Sequence, residues 1–260
     1  MLTDHRVVLV ASDGVQLSAR HWPHEGSEVG YVVAHGFTGS SRSRQVDRIC
    51  RRLAGHGATV LAPDFRGHGQ SGGRSSIGDV EIRDVAAAAS FLRARDVSRL
   101  ALLGWSMGGS VVLRYAGLGG DADAVVSVSS PGLWYERGTA PLRLVHWVAE
   151  TRTGRLIVRI VKRVRLTEGW PELPESPVEV VGRIAPTPLL IVHGDADHFF
   201  PVRHAELLAA AAPDADYWLE VGMTHAETGT DARLVDRIDG WVRVATGAPA
   251  AAERLGLSAP

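Results

Sequence analysis

The chain has 260 residues, is 45% hydrophobic and 22% charged, and carries a formal net charge of −1. That length suits one α/β domain with room for a small insertion, and the balance is that of an ordinary globule. With no global field toward nucleic acid or acidic ligands, nucleic acid is not an expected partner. Cys50 is the only cysteine, which excludes an internal disulfide and suits a reducing compartment. No apolar run approaches the roughly 20 residues that span a bilayer. Met1 to Arg6 lead directly into strand-like sequence without the apolar stretch of a secretory signal, so the expected location is the cytoplasm.

Two strand-like runs open the chain, Arg6 to Ala11 and Val15 to Trp22, and Ser12-Asp13-Gly14 between them predicts a hairpin. Gly30 to Ala34 is continuously apolar, as a strand buried on both faces should be. A helix follows over Arg44 to His56, with Val46, Ile49, Cys50 and Leu53 on one face. Next come a strand (Ala58 to Pro63), a helix (Asp79 to Arg95), a strand (Leu100 to Trp105), a helix (Gly109 to Ala116) and a strand (Ala124 to Ser129). Alternation at this spacing predicts βαβ units, hence an α/β fold with a mostly parallel central sheet and helices on both faces.

The alternation stops between Pro131 and Ala185, which reads as a small helical cap inserted into a core made of 1–130 and 186–246. It resumes with a strand (Pro188 to Val192), a helix (His204 to Ala212), a strand (Asp216 to Val221) and a helix (Asp231 to Val244). Residues 247–260, rich in Ala, Gly and Pro, are expected to be a disordered tail. In the cap, Leu156, Ile157, Ile160, Val161 and Val164 share one helix face, while Arg155, Arg159, Lys162 and Arg163 line the other. The apolar side is expected to lie down on the domain with the basic side in solvent. Contact of this basic amphipathic helix with anionic lipid is the second, less favoured reading. Trp134, Tyr135, Trp147 and Trp170 could wall an apolar substrate pocket.

The most informative stretch is Leu100 to Tyr115. An apolar strand ends in Gly104-Trp105-Ser106-Met107-Gly108-Gly109, and a helix follows at once. Gly-x-Ser-x-Gly in that context places a serine at the tip of a strained strand-to-helix turn, with its hydroxyl at the top of a sheet. A second match, Gly69-Gln70-Ser71-Gly72-Gly73, lies in a glycine-rich loop with no strand leading into it and no apolar helix after it, so Ser106 is the candidate nucleophile.

A serine hydroxyl needs a base within reach and a group that orients the base. In a parallel sheet all three belong on loops beyond the carboxyl ends of strands. Asp197 follows the strand ending at Val192, and His225 follows the strand ending at Val221, so both share an edge with Ser106. Asp195, two residues from Asp197, is the competing acid and is otherwise expected to form a local Asx turn. His35 and His68 are expected to brace loops, and His193 to sit at a buried strand end. His198 could touch substrate, and His5, His21, His24, His56 and His204 look like surface residues. Arg66 and Asp64 are expected to pair and hold their loop. No histidine pair has metal-ligand spacing and no glycine-rich loop is placed to cradle phosphate, so neither metal nor cofactor is expected.

Four blocks, His35-Gly36-Phe37-Thr38-Gly39-Ser40, Asp64 to Ser71, Gly104 to Gly109 and His193-Gly194-Asp195-Ala196-Asp197, together with the His225 loop, resemble the α/β-hydrolase fold family along nearly the full length. Within that family the chain is most similar to the monoacylglycerol lipase, lysophospholipase and serine aminopeptidase-like branch. The resemblance implies Ser106 as nucleophile, Asp197 as acid, His225 as base, and the backbone N–H groups of Phe37 and Met107 as oxyanion donors. Met107 would begin a helix, where its N–H has no intrahelical partner. The expected activity is hydrolysis of small-molecule carboxylic esters, with hydrophobic acyl groups favoured, through an acyl-enzyme. Amidase or aminopeptidase-like chemistry, or cofactor-free perhydrolysis, on the same triad is the alternative. A substrate amine would need a nearby carboxylate, for which Glu136, Glu150, Glu168 and Glu172 in the cap are candidates. A non-enzymatic receptor is the rival from another class.

Overall fold

The computed structural model describes residues 3–95, 97–134, 136, 138–170 and 172–249. Tyr135 and most of the tail, 250–260, lie outside the described residues. Eight strands form one sheet: β1 (His5–Val10), β2 (Gln16–Trp22), β3 (Val29–Ala34), β4 (Thr59–Pro63), β5 (Arg99–Trp105), β6 (Ala124–Val128), β7 (Leu189–Gly194) and β8 (Asp216–Glu220). Their spatial order is β1-β2-β4-β3-β5-β6-β7-β8. Only β2 runs against its neighbours, and every pairing from β4 to β8 is parallel. The predicted hairpin joins β1 to β2, with Gly14 at φ +80°.

The helices are α1 (Arg44–Gly55), α2 (Ile82–Arg93), α3 (Met107–Gly117), α4 (Ala140–Glu150), α5 (Arg152–Val161), α6 (Pro177–Val180), α7 (Arg203–Ala211), α8 (Ala226–Gly229) and α9 (Ala232–Thr246). Alternating side chains of the buried strands feed two cores, as a pleated sheet covered on both faces requires. Tyr31 and Val33 of β3 pack with Leu103 and Trp105 of β5 under α1 and α9. Val32 and Ala34 pack with Leu100 and Leu102 under α2, α3 and α7. This is the α/β-hydrolase fold, with a mostly parallel sheet flanked on both sides. Val181 and Ile184, after α6, join the second of these cores, so the interruption is already back on the sheet there. No helix among the described residues is long and apolar enough to cross a membrane.

The helix pair α4–α5 corrects one expectation. Leu156 (55% exposed), Ile157, Ile160 (70%) and Val161 face solvent, and only Gly154 and Val158 of α5 are buried. The cause is the close crossing of the two helices. A Cβ on Gly154 would stand 2.6 Å from both Trp147 O and Val148 Cα, so α5 meets α4 along the Gly154–Val158 line. That contact sets the roll of the helix and turns its apolar face away from the domain. Val148, Val158, Val164 and Leu166 form a small cluster against Phe37 and Ile77.

Three further expectations are corrected. His21 and His204 are buried: His21 faces the edge of Phe91, and His204 Nδ1 accepts the Gly132 N–H at 3.2 Å. His56 is half-buried between Asp236 and Asp239. Arg66 pairs with Asp13 and the buried Asp84 rather than with Asp64, whose carboxylate instead accepts the N–H groups of Ser41 and Gln70. Both oxygens of Asp64 are taken by those backbone donors, which leaves Arg66 to the carboxylates of Asp13 and Asp84.

Candidate active site

Ser106 stands between β5 and α3 with φ 52° and ψ −122°, a conformation that a non-glycine residue adopts only when its surroundings enforce it. The enforcement is steric. A Cβ on Gly104 would lie 2.3 Å from Gly108 O, one on Gly108 would lie 2.2 Å from Ala34 O, and one on Gly109 would lie 1.8 Å from Ser130 Oγ. Strand, turn and helix therefore close on one another only with glycine at these positions. The Ser106 N–H donates to Val128 O (2.9 Å), tying the turn to β6.

Asp197 leaves β7 in a loop whose own backbone holds it. Its Oδ1 accepts the N–H groups of Phe199 (2.8 Å) and Phe200 (3.0 Å). Burial alone would raise its pKa, but the hydrogen bond from His225 and these two backbone donors outweigh that and hold the carboxyl below its usual range. The loop after β7 meets the loop after β8 because Gly194 has no side chain: a Cβ there would lie 2.0 Å from Met223 O. Asp195 belongs to the same junction, accepting the Gly222 N–H at 2.6 Å rather than making the expected local turn.

His225 precedes α8. Ala226, at φ 50°, makes the abrupt bend after it. His225 Nδ1 lies 2.8 Å from Asp197 Oδ2, and its Nε2 lies 3.1 Å from Ser106 Oγ. With an ionised carboxylate on Nδ1, that nitrogen carries the proton and Nε2 is free to accept from the hydroxyl. The ring of Phe199 lies 4.5 Å from the imidazole at 30°, covering one side of it. Ser106, His225 and Asp197, drawn from three distant stretches of chain, thus touch in series.

Phe37 and Met107 both have backbone N–H groups that donate to no other described residue. Met107 opens α3, where the first N–H groups have no helical acceptor. Phe37 follows Gly36 at the end of β3, and a Cβ on Gly36 would lie 3.2 Å from Ser106 Cβ, so this backbone runs directly beside the serine.

The competing residues are occupied elsewhere. Ser71 accepts the Ser18 N–H at 2.9 Å and donates to Asp64 O. His35 donates from Nδ1 to Gly36 O (2.8 Å) and accepts the Phe65 N–H on Nε2 (3.1 Å), bracing two loops. His193 bonds Phe200 O, and His198 is exposed against Phe199. Trp134 and Trp170 pack on each other, while Trp147 is 40% exposed. A surface cleft of about 480 Å³ beside Trp170 is lined by Ser76, Asp79 and Glu168 among others, and by no member of the Ser106–His225–Asp197 series. Glu136 lies by His204 and Arg203, Glu150 by His146, and Glu172 is exposed. The carboxylate that does stand at the site is Glu227, whose Oε1 accepts the Gly36 N–H at 2.7 Å. Nothing in sequence joins residues 191 apart, so this contact had no signal beyond the position of Glu227 two residues after His225. Among the described residues no three His, Cys, Asp or Glu side chains gather as a metal site.

Fold and site together describe a serine-hydrolase, esterase-like α/β-hydrolase. The chain belongs to the family described as "Serine aminopeptidase, S33", whose model matches residues 30–176. It is 27% identical to a monoacylglycerol lipase of Mycolicibacterium smegmatis over 268 aligned residues, covering 88% of this chain and 93% of that one. A shorter match, 35% over 111 residues, covers 40% of this chain and 36% of a human monoglyceride lipase. Among solved structures, an esterase of Pyrococcus furiosus superposes with a TM-score of 0.72 at 22% identity, over 94% of this chain and 93% of the other. An α/β-hydrolase of Penicillium superposes at 0.74 and 18%, over 95% and 100%. At those identities the two structures speak for the fold alone.

Proposed function

We propose that the protein hydrolyses small-molecule carboxylic esters through an acyl-enzyme, with Ser106 as nucleophile, His225 as base and Asp197 as the acid that orients it. The unbroken series of hydrogen bonds from Ser106 Oγ through His225 to Asp197 carries this reading. Ser106 attacks the ester carbonyl as His225 Nε2 takes its proton, and the N–H groups of Phe37 and Met107 receive the developing oxyanion. His225 then protonates the departing alcohol, and water repeats the sequence to release the acid. Similarity to monoacylglycerol lipases, and the apolar cluster of Val148, Val158, Val164 and Leu166 against Phe37, favour hydrophobic acyl groups. A single cysteine, Cys50, suits a reducing cytoplasm. The test is turnover of p-nitrophenyl esters of graded chain length and labelling by a fluorophosphonate. Wild-type protein should show both and Ser106→Ala neither; full turnover by Ser106→Ala would end the proposal. The family description also brings aminopeptidase chemistry into view, and an aminoacyl amide compared with its matching ester separates the two.

The outward face of α5 favours a second reading, concerning where the substrate comes from. Leu156, Ile157, Ile160 and Val161 stand exposed beside Arg152, Arg159, Lys162 and Arg163, which are exposed as well. Apolar residues that enter a membrane interface and cations that meet its headgroups are what an anionic lipid surface accepts. We therefore propose that the helix pair rests on such a surface and that the ester is drawn from it.

A further inference from the structure

We infer that Glu227 is a positioning residue of this reaction: its carboxylate holds the Gly36–Phe37 backbone so that the Phe37 N–H faces the oxygen that becomes negative. The inference rests on the serine-hydrolase reading above and adds a group to it. Glu227 is half-buried, and its Oε1 takes the Gly36 N–H at 2.7 Å. A methyl on Gly36 would lie 3.3 and 3.4 Å from the two carboxylate oxygens and 3.2 Å from Ser106 Cβ, so Gly36 is clasped between carboxylate and nucleophile.

The next peptide unit is fixed from its other side. Gly36 O accepts the Gly39 N–H at 2.9 Å and the His35 Nδ1–H at 2.8 Å. A trans peptide is planar with its C=O and N–H opposed, so two donors on Gly36 O set the direction in which the Phe37 N–H points. Without Glu227, the Gly36 N–H would lose its partner, and the Phe37 peptide would be held only through Gly36 O.

Glu227 is itself placed by the segment that places the base. The left-handed bend at Ala226 turns His225 toward Ser106 and sends Glu227 back toward Gly36. The single turn of α8 closes with Gly229 N–H to His225 O at 3.2 Å, and a Cβ on Gly229 would lie 2.2 Å from Thr224 O. Thr230 Oγ1 donates to Ala226 O and accepts the indole N–H of Trp105 at 2.9 Å, which docks this turn on the strand that presents Ser106. One short segment therefore registers the base and the oxyanion loop against the nucleophile together. The charge on Glu227 is not what the geometry uses; an acceptor at Oε1 is.

The experiment compares Glu227→Ala, Glu227→Gln and Ser106→Ala on p-nitrophenyl butyrate, with binding of a boronic acid as a mimic of the tetrahedral state. Removing one oxyanion donor outright costs on the order of 10²–10³ in kcat. Glu227→Ala, which only loosens one, should lower kcat by roughly 10–100-fold, with KM within about threefold and boronate affinity weakened by about the factor lost in kcat/KM. Glu227→Gln keeps an acceptor for the Gly36 N–H and should restore kcat to within about threefold. An unchanged kcat in Glu227→Ala, or a Gln variant as impaired as the Ala variant, overturns the inference. So does a loss confined to aminoacyl amides, which would make Glu227 a holder of substrate amine. If Ser106→Ala keeps full activity, the hydrolase reading itself has failed; if it is inert while both Glu227 variants are normal, only the positioning role has.

Discussion

Asp197 and His225 are joined at 2.8 Å through Oδ2 and Nδ1, while the other oxygen of Asp197 is occupied by the N–H groups of Phe199 and Phe200. The loop thus fixes the carboxylate before the imidazole arrives, leaving one oxygen for it. An amide at 197 would keep the shape but could present its NH₂ to Nδ1 and stabilise the wrong tautomer. Asp197→Asn should therefore lower kcat by roughly 10⁴ with little change in thermal midpoint. Asp195 spends its carboxylate on the Gly222 N–H, so Asp195→Asn should stay within about tenfold of wild type. Steady-state kinetics on one soluble ester checks both, and the reverse ranking would move the acid to Asp195.

Two glycines should respond to alanine in opposite directions. At Gly108 the new methyl would lie 2.2 Å from Ala34 O and 2.6 Å from His35 O, backbone atoms of a buried strand end that have nowhere to go. Gly108→Ala should destabilise by about 2–3 kcal/mol or more and disturb the serine turn. Gly240 lies on the exposed side of α9 with open space where its Cβ would be. Gly240→Ala should stabilise by about 0.5–1 kcal/mol through helix propensity and a less disordered unfolded chain. Urea midpoints of the two variants decide the matter.

His68 gives the protein an acid-sensitive point beside the oxyanion loop. Its Nδ1 donates to Arg66 O at 3.1 Å, its Nε2 is buried without a partner among the described residues, and burial foremost pulls its pKa from the ordinary 6.5 to about 3. Between those values the unfolded chain binds a proton that the folded protein refuses. Stability from this group is complete above pH 6.5 and declines as pH falls toward 3, amounting to about 2 kcal/mol lost between pH 8 and pH 5. Asparagine can keep the donor to Arg66 O without titrating. Denaturant midpoints of His68→Asn at the two pH values should differ by that much less than wild type does; equal pH dependence would show that His68 is not the cause.

The strands and the serine turn were legible because each leaves a local mark. Gly30 to Ala34, Leu100 to Trp105 and Leu189 to Val192 are apolar without interruption since both of their faces are covered. Gly104 and Gly108 are required by contacts within a few residues of Ser106 or with the adjoining strand end. Orientation and partnership were not legible where they depend on distant chain. The contrast between the two faces of α5 is plain in sequence, but which face turns inward is decided by Gly154 against Trp147 and Val148. His21 and His204 are polar residues made internal by neighbours that a linear reading cannot see, and Arg66 finds Asp13 and Asp84 at separations of 53 and 18 residues. Glu227 and Gly36 are the extreme case, joined only by closure of the sheet.

The solvent-facing side of α5 should behave as a lipid-binding surface. Ile160 and Val161 are 70% and 67% exposed, and burying such side chains in an apolar phase yields about 1.5–3 kcal/mol each when complete. Even half of that for two residues corresponds to at least about tenfold in partitioning. Wild-type protein should co-sediment with vesicles of phosphatidylcholine mixed with phosphatidylglycerol, more weakly with phosphatidylcholine alone and more weakly again at high salt, because the basic residues contribute by attraction to anionic headgroups. Ile160→Ser with Val161→Ser should lose at least tenfold in vesicle affinity while kcat on a water-soluble short-chain ester stays at the wild-type value. Arg159→Gln with Lys162→Gln should lose the preference for anionic vesicles and keep the rest. Should the wild type stay in the supernatant with every vesicle, or run as a dimer that Ile160→Ser and Val161→Ser return to a monomer, the face would be covered by something other than lipid and the membrane reading would fall.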